Sequence, residues 1–149
     1  MTSSLSPMYD RFFNALDREA RNLRFERCFK PYGKNFLHFR TDRSRFFYDV
    51  AFAKDGRFRV GLALARGYNE NREAFHDFKA DQKVIEQKLG PLSWDMVTNR
   101  KQCYIHSLRS GTIHDSEQKL SELKQWALQM LPEFRDVFQP RLRRLKVTT

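Results

Sequence analysis

The order of elements predicts an α+β domain: a helix, a three-strand antiparallel meander, a helix, a strand and a helix, forming a mixed sheet covered by helices. Two observations carry this. Residues 46–67 read FFYDVAFAKDGRFRVGLALARG, two apolar-alternating runs on either side of Lys-Asp-Gly-Arg, and a period of two is the mark of a half-buried strand. The segments before and after repeat their apolar residues every three or four positions, as helices do. The meander must be antiparallel, while the second helix can carry the chain over to strand four, which makes the sheet mixed.

Each element has its own justification. Ser6-Pro7 opens the first helix, because serine caps free amides and proline at the first helical position loses no hydrogen bond. Met8, Phe12, Leu16, Ala20 and Leu23 form its inner stripe, with Arg11, Asn14, Arg18 and Arg21 on a neighbouring face. Asp17 and Arg21 are spaced for an intrahelical ion pair. Residues 36–40 are the first strand, followed by the turn Thr41-Asp42-Arg43-Ser44. In the hairpin, Phe46, Tyr48, Val50 and Phe52 share one face with Phe58, Val60, Leu62 and Leu64, and Asp55-Gly56 is the turn pair because glycine takes positive φ freely. The opposite face, Asp49, Ala51, Ala53, Gly61, Ala63 and Ala65, is small enough for helices to cover both sides. A second helix spans about 71–89, stopped by Gly90, with Phe75, Phe78, Ile85 and Leu89 facing inward. Leu92-Ser93-Trp94 is an anchor, and residues 103–108 form the fourth strand. Asp115 is the expected cap of the third helix, with Gln118 placed for a capping box. Pro132 is a point of kinking or restart. A basic tail, 141–149, ends the chain.

The chain has 149 residues, 40% of them hydrophobic and 14 of them Phe, which suits one domain with one core, 1–149. No apolar run reaches the ~20 residues of a membrane helix, and the start lacks a signal peptide, so a cytoplasmic protein with no membrane partner is expected. Cys28 and Cys103 are too few for a disulfide scaffold and match no metal spacing. Charge is the most informative bulk property. Residues 1–46 hold 10 Lys/Arg against 5 Asp/Glu, residues 47–134 hold 13 against 12, and residues 135–149 hold 5 against 1. The net +10 thus sits at the two ends and attracts polyanions, of which nucleic acid is the commonest.

The candidate nucleic-acid-binding residues are Arg11, Arg18 and Arg21 on the first helix, Arg40 and Arg43 around the first strand's end, and Arg141, Arg143 and Arg144 in the tail. Phe36, His38 and Arg40 also alternate with Leu37 and Phe39, an arrangement in which a sheet face stacks on bases. Trp126 and Phe138 are candidates for a protein-interaction or homodimer surface. Chemistry has less support. His38, His76, His106 and His114 are isolated in sequence, and no metal-ligand spacing, phosphate loop or nucleophile elbow occurs. No cofactor or metal is expected, and the chain reads as non-catalytic.

The order of elements resembles the core of the restriction-endonuclease-like nucleases. That resemblance implies an acidic ligand near the second strand and an acidic-x-Lys pair on the third. Asp49 fits the first role. RFRVGLALARG has no acid to fill the second, so Asp49 is the sole catalytic candidate of a divergent metal-dependent nuclease, a third reading.

A closer resemblance rests on AFHDFKADQKVIEQKLGPLSW, KQCYIHSLRSGTI and FRDVFQPRL, through Asn71, Phe75, Ile85-Glu86, Gly90, Leu92, Trp94, Ile105, Phe134, Phe138 and Pro140. With these the chain resembles the prokaryotic family called domain of unknown function (DUF) number 4268. Members commonly follow a restriction-type nuclease domain in proteins suspected of roles in DNA restriction or defence. The resemblance implies an accessory module for target or partner recognition. Gly61 stands where the family often has an acidic residue.

Overall fold

A computed structural model describes residues 5–96 and 102–146. The elements are α1 (Ser6–Asn22), β1 (Phe36–Arg40), β2 (Phe46–Phe52), β3 (Arg57–Leu64), α2 (Tyr68–Ala80), α3 (Gln82–Leu89), β4 (Ser93–Met96), β5 (Cys103–Ser110) and α4 (Glu117–Arg144). The α+β class and the helix-meander-helix-strand-helix order hold. The sheet has five strands in the order β1-β2-β3-β5-β4, and every pairing is antiparallel. The expected mixed sheet is therefore corrected: β4, read as an anchor, is the edge strand, and it returns the chain into β5 antiparallel to β3.

Alternation decides which side of the sheet is core. Phe52, Phe58, Val60, Leu62, Leu64 and Ile105 are buried on the side where the helices pack. Phe12 of α1 meets Phe52 and Phe58 edge-on, with centroids 4.9 and 5.7 Å away, and Trp126 of α4 lies 6.0 Å from Phe58. From α2, Phe75 reaches Trp94 at 6.0 Å and Phe78 reaches Phe138 of α4 at 5.3 Å. Helices on both faces were expected; these contacts put α1, α2 and α4 on one and the same face.

Local differences have local causes. The second helix breaks at Asp81, whose amide bonds Phe78 three residues back and whose carboxylate lies 3.4 Å from Arg141 of α4. Ser116, not Asp115, caps α4 by accepting from the Lys119 amide, while Asp115 closes the preceding turn onto the Thr112 amide at 3.0 Å. The helix runs through Pro132 and Pro140 without ending. Buried Leu131, Phe134, Val137 and Phe138 offset the backbone bonds those prolines remove. Arg141, Arg143 and Arg144, read as tail, form the last helical turn, with Leu142 and Leu145 buried around them; residues 147–149 lie outside the described residues. The hairpin turn has Gly56 at φ 75°, as Asp-Gly requires.

Candidate functional site

The sheet face turned away from the helices carries a polar row. Strand register sets His38, Asp49, Gly61, His106 and Ser93 side by side across all five strands. Asp49 is fully buried. Its Oδ2 accepts from His106 Nε2 at 2.9 Å and lies 3.3 Å from Arg59 Nε. Its Oδ1 is 3.1 Å from His38 Nε2, at an angle that leaves this oxygen without a well-formed hydrogen bond. Rings flank the row: His38 is stacked on Phe47 at 4.9 Å, Tyr104 on His106 at 5.3 Å, and Arg59 over Tyr104 at 5.2 Å.

Gly61 is what lets the row close. A Cβ there would stand 2.0 Å from the Ile105 carbonyl oxygen and 2.7 Å from His106 Cα, so no side chain fits between β3 and β5. The glycine occupies a close approach of two backbones.

The electrostatics of the row follow from its geometry. Burial pushes the Asp49 carboxyl upward, but the hydrogen bond from His106 and the close approach of His38 outweigh it and hold the group well below the usual carboxylate range. Burial also dominates at His106, lowering it below the ordinary imidazole value against the pull of Asp49. Asp49 is thus ionised, His106 is neutral with Nε2–H donating, and Arg59 supplies the counter-charge. Nitrogen groups surround this carboxylate, and among the described residues no cluster of three His, Cys, Asp or Glu side chains could hold a metal ion. What Asp49 does here is orient two imidazoles and a guanidinium on one face.

The basic residues singled out from sequence separate into two groups. Arg11 and Arg18 are exposed on the solvent side of α1. Arg21 is bound to buried Asp17 at 2.8 Å, where Arg27 joins it at 2.7 Å. Arg43 is engaged within the fold: its guanidinium donates to the carbonyls of Leu142 (2.8 Å) and Leu145 at the end of α4. Arg141 is similarly engaged, donating to the Val137 carbonyl at 2.7 Å, and Arg143 pairs with Asp42. Arg40 is exposed, 3.8 Å from exposed Glu26, and Arg144 is exposed on the last turn of α4. Phe138 is fully buried against Phe78 and Phe134, which removes it from any interaction surface. Trp126 is half-buried, with Arg109 over its ring at 5.0 Å. Of the proposed stacking strand, Leu37 and Phe39 are buried while Phe36 and His38 are partly open, but Phe47 and Phe36 already occupy the His38 ring.

Folding also builds a corner that the sequence reading did not bring together. Arg135 of α4 donates to the Leu23 carbonyl at 2.9 Å and the Arg24 carbonyl at 3.3 Å, with its guanidinium 4.1 Å over Phe25. Arg24, Arg40 and Arg135 line one cleft beside Tyr48. His106, Arg59, Arg24 and Arg135 were missed as site residues because each lies far in sequence from its partners, and His38 was read for base stacking and not as a neighbour of Asp49. The one local signal was that His38 and Asp49 each point to the same side of an alternating strand.

No curated protein and no solved structure matches the sequence. A family model does match, over residues 8–142, which is most of the chain. It takes in the buried row and the arginine corner alike, and the chain belongs to the family described as Domain of unknown function (DUF4268).

Proposed function

We propose that this chain is a non-catalytic, nucleic-acid-binding accessory domain that serves prokaryotic DNA restriction or defence. The observation that carries the reading is the meeting of the two basic ends. The excess charge at residues 1–46 and at residues 135–149 is separated by some hundred positions of chain, yet Arg135 docks on Leu23 and Arg24, Arg43 on Leu142, and Arg143 on Asp42. Concentrating guanidinium groups on one side of a neutral body produces the field that phosphate backbones bind, with affinity drawn from counterion release and little from base identity. The partly filled ring stacks of the sheet favour phosphate contact over base stacking.

Fluorescence anisotropy with duplex and single-stranded DNA tests this. Binding should weaken steeply as salt rises, with a log-log slope of about −0.9 for each duplex phosphate neutralised. The double substitution Arg24→Glu/Arg40→Glu should lower affinity about tenfold or more and flatten that slope, while Arg43→Gln should not. Micromolar protein giving no signal at low salt would sink the proposal.

A further inference from the structure

The arginine corner encloses a cleft of about 440 Å³ between the α1–β1 connection, the end of β1 and the second half of α4. That size is within the range of small-molecule sites. Arg24, Arg40 and Arg135 line it together with Gln139, and Glu26 and Asp42 are its two acids. Tyr48 also lines it. The Tyr48 ring is 2% exposed and packs edge-on to Phe25 at 5.8 Å, yet its hydroxyl has no hydrogen-bond partner among the described residues.

The hydroxyl is not among the buried polar atoms left unpartnered; it opens on the cleft, where a bound group can take its hydrogen bond. The cationic lining of the cleft is guanidinium, from Arg24, Arg40 and Arg135, so an oxygen-rich anion accepts from these groups and from the hydroxyl together. The two carboxylates are otherwise engaged: Asp42 is paired with Arg143 and within 3.4 Å of Gln139, and Glu26 stands out in solvent near Arg40. Arg135 spends Nη1 on two backbone carbonyls, and the ring of Phe25 fixes its plane. Its remaining N–H groups have no partner among the described residues. Burial pushes the Tyr48 hydroxyl well above its ordinary value, with Asp42 adding to the rise, so it remains a donor at neutral pH. Guanidinium forks and a hydroxyl match the several oxygens of a phosphoryl group. A phosphate monoester offers three non-bridging oxygens to these donors, where an internal diester offers two.

We propose that this cleft binds a phosphate monoester, either a free nucleotide or the phosphorylated 5′ end of a strand, with Tyr48, Arg40 and Arg135 on the phosphoryl oxygens. The site stands apart from the nucleic-acid reading, since a small ester would fill it equally well.

The test uses the full chain at low salt. Calorimetry with adenosine monophosphate and with inorganic phosphate is paired with anisotropy on oligonucleotides of one sequence bearing a 5′-phosphate or a 5′-hydroxyl. Saturable binding of the nucleotide is expected, weakened about tenfold in Tyr48→Phe by the loss of one bond to a charged acceptor. Because the hydroxyl has no protein partner, Tyr48→Phe should melt at the same temperature as the parent or higher, which separates ligand loss from misfolding. Arg40→Gln should weaken binding likewise. A preference for the 5′-phosphorylated strand that Tyr48→Phe abolishes assigns the strand end as ligand; nucleotide binding without such a preference assigns the free ester. No saturable nucleotide or phosphate binding together with no 5′-phosphate preference overturns the site, as does binding that both variants leave intact. Strand binding indifferent to the 5′-phosphate, with no nucleotide binding, removes this site and leaves the nucleic-acid reading standing. Nucleotide binding without strand binding does the reverse.

Discussion

Asp49 is a carboxylate committed to its neighbours. It is wholly buried and ionised, and its two oxygens face His106, His38 and Arg59, an arrangement suited to holding three side chains in place across three strands. The residue that makes this possible carries no side chain at all. Replacing Gly61 by alanine would put a methyl group 2.0 Å from a backbone oxygen of β5, and backbone in a paired sheet cannot swing aside as a flexible side chain does. Gly61→Ala should therefore cost about 3 kcal/mol, in the upper range for overpacking. Urea unfolding monitored by circular dichroism measures it. A loss below about 0.5 kcal/mol, the scale of a neutral surface change, would show that β3 and β5 do not approach so closely.

At the level of elements, α4 organises the molecule. It packs on the sheet, on α1 through the Lys124–Glu19 ion pair, and on α2 through Phe138 and Phe78. Its C-terminus would leave carbonyls unpaired, and Arg43 from the β1–β2 turn reaches 99 residues along the chain to satisfy Leu142. A cation there also complements the negative end of the helix. Arg43→Gln is expected to lower stability by about 1 to 2 kcal/mol, the worth of a hydrogen-bonded charge at a helix end, while leaving DNA affinity within about twofold, because its charge faces the helix end. Melting curves and anisotropy on the same preparation read both quantities. A large drop in affinity with unchanged stability would return Arg43 to the binding surface. In the sequence this residue was one arginine among many in a basic segment; only the helix end lying over it distinguishes it.

For the whole molecule, the buried row predicts the direction of the pH response. The folded state lowers the proton affinity of His106 below the ordinary value, which is ~6.5 for a free imidazole. The unfolded chain then binds more protons just below that pH, and stability present above it is lost as pH falls. Asp49 is shifted the same way. Its contribution is present above the unfolded value of ~3.9 and is lost as pH falls through the lower folded value. The urea midpoint should hold steady above about pH 7, decline as pH falls below about 6.5, and decline again below about pH 4. His106→Gln, which retains a donor toward Asp49, should flatten the first decline and spare the second. A wild-type midpoint that does not change as pH falls through about 6.5 would mean that His106 binds its proton as readily in the fold as in the unfolded chain.

The sequence by itself determined the class of the fold, the meander and its buried face, the Asp-Gly turn, the family and the location of the excess charge at the two ends. Each of these depends on residues close together in the chain, where alternation, turn chemistry and helical spacing act directly. Tertiary structure alone decided that the sheet is antiparallel throughout, that α1, α2 and α4 share one face, that α4 continues through Pro132, and that Asp49 meets His38, His106 and Arg59. It also decided which arginines are engaged within the fold and which remain open. Such outcomes depend on strand register and on contacts spanning up to 112 positions, where the energy comes from groups brought together by folding and leaves no mark in the local pattern of either partner.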